Sequence, residues 1–245
     1  MLNYDIIKCP LCYGELLIEK NQIKCSTCNM EYSIKDSIPV FLTDKTATDE
    51  YRKFWDGGWD KRYNAGDHKF HKNNKDEYKK IIEEQYNSSI KLKKAISYVV
   101  PFLDGQVLNV GCGISEASFF AYAKVKKYIG IDYSFTATRV SQDNINKLGG
   151  NGQTIQANAE LLPIESNSID TVYSSGVLHH TPNIKQTLEE VFRVLKPNGK
   201  AVIGLYSKYS PTFIVAEIVG YFKSLFNRTQ IKWYAYSETA WSNEN

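Results

Sequence analysis

A short apolar run into paired glycines does most to limit what this chain can become: Val107-Leu108-Asn109-Val110-Gly111-Cys112-Gly113-Ile114-Ser115. The apolar residues predict a buried strand. Gly111 and Gly113 let the backbone turn sharply and leave no side chain between it and a ligand. Ser115 suits a helix N-cap, and Glu116 falls in the first turn, where the helix dipole favours negative charge. Strand, glycine turn and helix in that order form the start of a nucleotide-binding α/β unit. A ligand laid across the turn is expected to reach its backbone N–H groups.

The next strand, Lys127–Asp132, ends in an acid 21 residues on from Gly111. An α/β nucleoside site needs a carboxylate at that point to accept hydrogen bonds from both ribose hydroxyls. Ser134 then caps a predicted helix over 135–147, and Gly149-Gly150-Asn151-Gly152 predicts a turn. A dinucleotide enzyme would place a third glycine at position 116, where this chain has glutamate. That charge opposes a pyrophosphate at the helix start. A cofactor with no phosphate and a cationic sulfonium fits better, and S-adenosylmethionine is such a ligand.

With these features in order, about residues 88–206 resemble the class I S-adenosylmethionine-dependent methyltransferases of the methyltransferase type 11 group. The resemblance includes the Gly111/Gly113 turn, Asp132, Gln156-Ala157-Asn158-Ala159-Glu160-Leu161-Leu162-Pro163, Ile169–Ser175 with Val177-Leu178-His179-His180, and Glu190–Lys200. It implies a Rossmann-like, doubly wound, mostly parallel α/β sheet. It also implies that Gly111 and Gly113 face the methionine and ribose part and that Asp132 binds the ribose. Tyr133 would pack beside the adenine, with Asn158 and Ala159 at its edge. Asn158 and Asn109 stand where many members carry acids, so affinity is expected to be lower. Ser174, at the end of strand four, joins the expected cofactor-binding set. Cys112 reads as a small buried filler.

Loop Gly176–Pro182 follows strand four, at the carboxyl ends of the strands where open α/β sheets bind substrate. His179 and His180 are the candidate bases, because a neutral imidazole can take a proton near pH 7. The alternative is that one packs and the other caps the helix starting near Asn183. Methyl transfer to a good nucleophile can also proceed by in-line positioning alone. The loop lacks the D/N-P-P-[YF] sequence of many amino-group methyltransferases acting on nucleic-acid bases and protein amides.

Ahead of this domain, Cys9-Pro10-Leu11-Cys12 and Cys25-Ser26-Thr27-Cys28 are separated by twelve residues. Each pair can place two thiolates on one metal, and together they complete the tetrahedral four-sulfur shell that zinc prefers. Such a shell has no open position, so the zinc is expected to be structural. Disulfides would need an exported chain, and a redox C-x-x-C needs no second copy. A hairpin of Glu15–Lys20 and Gln22–Lys24 fits between the knuckles. Residues 1–43, closing with Ile38-Pro39-Val40-Phe41-Leu42, resemble the zinc ribbon of the Trm112-like family, whose members include partners or fused appendages of methyltransferases.

Three parts are therefore expected: a ribbon over 1–43, an aromatic linker and lead-in helix over 44–87, and the methyltransferase domain over 88–245. The linker carries Tyr51, Phe54, Trp55, Trp59, Tyr63 and Phe70, which read as a lid over the site or as glue for the ribbon. Gly57-Gly58 and Gly66-Asp67 are expected to break any long helix. His68 and His71 read as surface residues, and Lys75–Val99 as helical. Gly199–Tyr206 predicts a fifth strand, Ile214–Phe226 a helix, and Trp233–Tyr236 one further strand. The closing strand pair is therefore expected to be incomplete, either because the sheet is short or, the favoured reading, by truncation.

A net charge of +3, with arginine only at Arg52, Arg62, Arg139, Arg193 and Arg228, argues weakly against a nucleic-acid partner. No apolar run is long enough for a membrane span, and no signal peptide is read, so the cytoplasm is expected. The expected acceptor is a small or medium metabolite methylated on oxygen or carbon. Ribosomal or transfer RNA base methylation is the alternative, and a non-catalytic cofactor-binding or recruiting protein a third reading. Neither the acceptor nor the oligomeric state is legible here.

Overall fold

The computed structural model describes residues 4–19, 21–45, 48–65, 99–114, 125 and 127–205, with single positions 76–77, 80, 84 and 97 between them. Apolar–polar alternation over the first forty residues produces four short antiparallel strands: β1 (Leu16–Glu19), β2 (Gln22–Cys25), β3 (Glu31–Lys35) and β4 (Ile38–Val40). In β2 the pattern places Ile23 and Cys25 inside and Gln22 and Lys24 outside. Asp36 and Ser37, both at positive φ, make the tight β3–β4 turn.

The apolar runs further on become β5 (Gln106–Val110), β6 (Lys127–Asp132), β7 (Gly152–Gln156), β8 (Ile169–Ser175) and β9 (Leu195–Gly204). Val107, Leu108, Asn109 and Val110 are all buried, as befits a central parallel strand with both faces covered. β5 pairs in parallel with β6 on one side and β8 on the other, so the strand order reverses beside β5. Ligands bind at such a reversal, outside the carboxyl ends of the strands. This is the Rossmann-like sheet that the motifs imply.

The ribbon is not a separate bead. The order β1-β2-β3-β4-β7-β6-β5-β8-β9 makes one nine-stranded mixed sheet, in which β4 joins β7 in parallel at Val40 and Gln156. The Phe41 N–H donates to the Gln156 carbonyl at 2.8 Å, and Ile7 bridges Ile164 antiparallel. Ile7, Cys9, Ile23, Cys25 and Phe41 share a core with Leu108, Ile131, Leu162 and Ile164. Met1–Ile203 is one compact unit, and residues from Gly204 onward form a second.

Three helices are described. α1 (Asp49–Ala65) runs unbroken through Gly57-Gly58, against the expected break. Tertiary anchors override the local preference: Asp56 accepts from the Phe135 N–H at 2.8 Å, Asp60 accepts from the Thr136 hydroxyl, and Trp59 packs against Ile114, Ala137 and Val140. α2 (Phe135–Lys147) starts where the sequence places it, with Ser134 Oγ accepting from the Ala137 N–H at 3.2 Å. α3 (Ile184–Val194) is capped by Asn183, whose Oδ1 accepts from the Gln186 N–H at 3.1 Å. The expected helices over 115–123 and 214–226, the strand at 233–236 and the histidines His68 and His71 lie outside the described residues. So does the Lys75–Val99 segment, apart from its single described positions. Among the described residues, no helix is long and apolar enough to cross a membrane.

Candidate functional site

Gly111 and Gly113 both adopt positive φ, at +77° and +52°. A Cβ on Gly111 would lie 2.3 Å from a Val177 methyl, so only glycine lets the β8 loop close over the turn. The N–H groups of Gly111 and Cys112 both donate to the Ile131 carbonyl, at 2.7 and 2.9 Å. The Gly113 N–H donates to Asp132 Oδ2 at 2.9 Å. The donors expected to meet a ligand are thus engaged inside the protein. What the glycines offer instead is bare backbone surface.

Asp132 is the centre of this corner. It ends β6 with its carboxylate buried, and Oδ1 accepts from the Ser134 N–H at 2.9 Å. Burial pushes its pKa up to about 6; the N–H groups of Ser134 and Gly113 pull it down, and Asp56 nearby raises it. A carboxylate has about four lone-pair sites, so beside the N–H groups of Ser134, Gly113 and Tyr133 it can still accept from a ribose.

Around Asp132 the other expected residues fall unevenly. Tyr133 follows directly, its ring edge-on to Tyr51 with centroids 4.8 Å apart. Asn158 and Ala159 follow β7, the neighbour of β6, and Asn158 Oδ1 accepts from the Glu160 N–H at 2.9 Å. Asn109 is fully buried within β5, where its Nδ2 donates to the Tyr128 hydroxyl at 3.1 Å. Ser174 is equally buried and donates to the Val110 carbonyl at 2.8 Å, tying β8 to β5 below the turn. Cys112 is buried as well.

His179 and His180 lie in a short 3₁₀ turn after β8, their rings 4.1 Å apart. Burial lowers both pKa values; for His180, burial and then its neighbour bring it down to about 4. His180 is therefore neutral at pH 7, and His179 is held below the ordinary histidine value. Across from them stands α1. Trp55 meets the His180 ring at 5.6 Å, and the Tyr51 hydroxyl donates to the His180 carbonyl. The Tyr133 hydroxyl accepts from the Thr48 N–H at 3.1 Å. Tyr51, Trp55 and Thr48 thus bring the start of α1 against Tyr133 and the β8 loop.

The four ribbon cysteines converge. Their sulfurs all lie within 4.8 Å of one another, with Cys9–Cys28 at 3.6 Å and Cys12–Cys25 at 3.5 Å. These spacings exceed a disulfide bond of about 2.05 Å. They approach the roughly 3.8 Å edge of a tetrahedron with zinc–sulfur bonds of about 2.3 Å. Burial opposes charge on Cys25, but the N–H groups of Cys28 and Thr27 bring its pKa down to about 7. The buried Tyr32 hydroxyl lies 3.1 Å from Cys9 Sγ, where it can donate to a bound thiolate. The donor set fits a structural zinc ion.

Sequence reasoning missed Asp56 and Asp60, which fasten α1 to the start of α2, and the contact of Tyr13 with α3. Only a three-dimensional neighbour gives these residues meaning. The single local signal was the run of aromatics and acids at a spacing of three to four in Tyr51, Trp55, Asp56, Trp59 and Asp60.

Comparison with known proteins agrees with this geometry. Residues 108–203 match the methyltransferase domain family, and residues 3–37 match the Trm112p-like protein family. The chain is 24% identical over 242 residues to an uncharacterized chloroplastic methyltransferase of Arabidopsis thaliana, covering 85% of this chain and 64% of that protein. It is 33% identical over 100 residues to the demethylmenaquinone methyltransferase of Lactococcus lactis, covering 39% of this chain and 40% of that protein. Among solved structures, the YcgJ protein of Bacillus subtilis aligns with a TM-score of 0.45 and 22% identity, over 60% of this chain and 68% of that one. The chain thus spans less than two thirds of the length of these curated relatives.

Proposed function

We propose that this chain, a methyltransferase domain with a Trm112p-like module before it, is an S-adenosylmethionine-dependent methyltransferase acting on oxygen or carbon of a small or medium metabolite. The observation that carries the reading is Asp132: a buried carboxylate at the end of β6, fixed by Gly113 and Ser134 beside a turn that only glycine can make. The division into ribbon 1–43, linker 44–87 and methyltransferase domain 88–245 is part of the same proposal. The Lactococcus relative is named for methylating demethylmenaquinone, and that likeness supports a small-molecule acceptor here.

When bound, S-adenosylmethionine supplies an electrophilic methyl group on a sulfonium. The chain's own residues do the rest. Asp132 accepts from the ribose hydroxyls, and Gly111 and Gly113 leave room for the ribose and methionine. Tyr133 flanks the adenine, while Asn158 and Ala159 meet its edge. Asn109 and Ser174 support the floor of the site from within β5 and β8. α1 excludes water by laying Tyr51 and Trp55 over the β8 loop. His180, neutral at pH 7, orients an acceptor hydroxyl by hydrogen bonding, with the buried His179 ring packed against it at 4.1 Å. His180, with a pKa near 4, contributes little proton abstraction, which supports in-line positioning. Cys9, Cys12, Cys25 and Cys28 would hold a structural zinc away from the chemistry.

Calorimetric titration of the full chain with S-adenosylhomocysteine tests this. Saturable binding is expected, and Asp132→Ala should weaken it at least about a hundredfold by removing two charge-assisted hydrogen bonds. Wild-type protein that binds neither cofactor nor product overturns the proposal. Methyl transfer to RNA in place of quinols and phenols would move the acceptor to the nucleic-acid class.

A further inference from the structure

Tyr13 stands in an unusual place. It follows the second cysteine of the first knuckle, and its φ is +56°. Asn29 holds the equivalent position in the second knuckle at φ +57°. Asparagine tolerates that left-handed conformation, whereas a bulky ring there is uncommon and persists only where its surroundings hold it. The knuckle fixes the backbone, since the Tyr13 N–H donates to the Cys9 carbonyl at 2.8 Å. The side chain thereby leaves the ribbon and reaches α3. Its hydroxyl donates to Glu190 Oε1 at 3.0 Å, and its ring lies 4.1 Å from the Arg193 guanidinium carbon.

Glu190 and Arg193 form a bidentate pair, and both grip one loop. Glu190 Oε2 accepts from the Leu162 N–H at 2.7 Å. Arg193 donates to the Leu162 carbonyl at 3.0 Å and the Ile164 carbonyl at 2.7 Å. The ribbon holds the same loop from its other side, through Lys8 N–H to the Pro163 carbonyl and Glu165 N–H to the Ile6 carbonyl. The loop continues directly from Asn158 and Ala159, and the Leu161 N–H turns back to the Asn158 carbonyl at 3.0 Å.

We propose that Tyr13 is a positioning residue for the nucleoside end of the cofactor. The cysteine knuckle holds its phenol on Glu190 and Arg193, and that pair holds the loop that presents Asn158 and Ala159 to the adenine. Occupancy of the four-sulfur site is thereby linked to cofactor affinity through a continuous packed path. The inference rests on the methyltransferase reading above, because it takes Asn158 and Ala159 as the adenine's neighbours.

The test is calorimetric titration of the zinc-loaded full chain with S-adenosylhomocysteine and, separately, with adenosine. Tyr13→Ala should raise both dissociation constants by the same factor, about tenfold. Tyr13→Phe keeps the ring over Arg193 and should raise them about threefold. The double variant Tyr13→Ala/Glu190→Gln should bind no more weakly than Glu190→Gln alone, because the two residues act in series. Strict additivity overturns the inference. So does a lowered unfolding temperature with unchanged dissociation constants, the mark of a purely structural contact. A loss confined to S-adenosylhomocysteine, with adenosine unaffected, overturns it by placing the effect at the methionine end. If Tyr13→Ala does not fold, Tyr13→Phe decides alone. Wild-type protein that binds neither ligand overturns the methyltransferase reading and this inference together, whereas a binding wild type with unaltered variants overturns the inference only.

Discussion

Asp132 shows how one residue can be legible in position and illegible in state. Its place follows from sequence: an acid at the end of the second strand, at the right interval from a glycine turn. Its protonation does not, because burial and the nearby Asp56 come from the folded chain. The folded pKa of about 6 lies above the ordinary aspartate value of 3.8, so the native state holds this proton more tightly than the unfolded chain. Asp132 therefore contributes less stability as pH rises from 3.8 to about 6. Cofactor binding runs the other way, because the ribose hydroxyls need the ionised form as acceptor. Affinity for S-adenosylhomocysteine should fall about tenfold from pH 7 to pH 5, as measured by titration calorimetry across that range. A flat profile would mean that Asp132 does not titrate there or does not meet the ribose. The two histidines teach the same lesson. Their loop was readable, but the burial that depresses His180 was not.

At the scale of elements, strands and capped helices were the most legible. Apolar runs 107–110 and 127–132 and the cap at Ser134 appear where periodicity and turn chemistry put them. α1 is the exception. Gly57-Gly58 argued for a break, and the helix continues because Asp56, Trp59 and Asp60 are held against α2 from outside. The glycines themselves do no packing: a Cβ at either would meet nothing within 4 Å. Gly57→Ala and Gly58→Ala should each stabilise the protein by about 1 kcal/mol, roughly 2–4 °C in unfolding temperature, which thermal denaturation will show. Destabilisation would mean that the helix must bend at this point.

On the scale of the whole molecule, the sequence suggested a ribbon appended to a catalytic domain, and the structure has one sheet and one core across both. The joining contacts, Val40 with Gln156 and Ile7 with Ile164, span more than a hundred residues of chain, and no motif at either end names its partner. Pattern within a window cannot reveal them. Their consequence for stability is testable. Stripping metal from the wild-type chain with a chelator should lower the unfolding temperature of the sheet as a whole, in a single transition seen alike by near- and far-ultraviolet circular dichroism. Two separate transitions would show that the ribbon melts alone. The same arrangement separates local contacts from distant ones. The four sulfurs lie close together along the chain, between Cys9 and Cys28, so the knot closes from local sequence. The ribbon's partners Gln156 and Ile164 follow more than a hundred residues later. Closing so long a loop is entropically costly and slow. The edge of the ribbon at β4 is thus shaped by nearby residues, while β7, which must align against it, comes more than a hundred residues later in the chain.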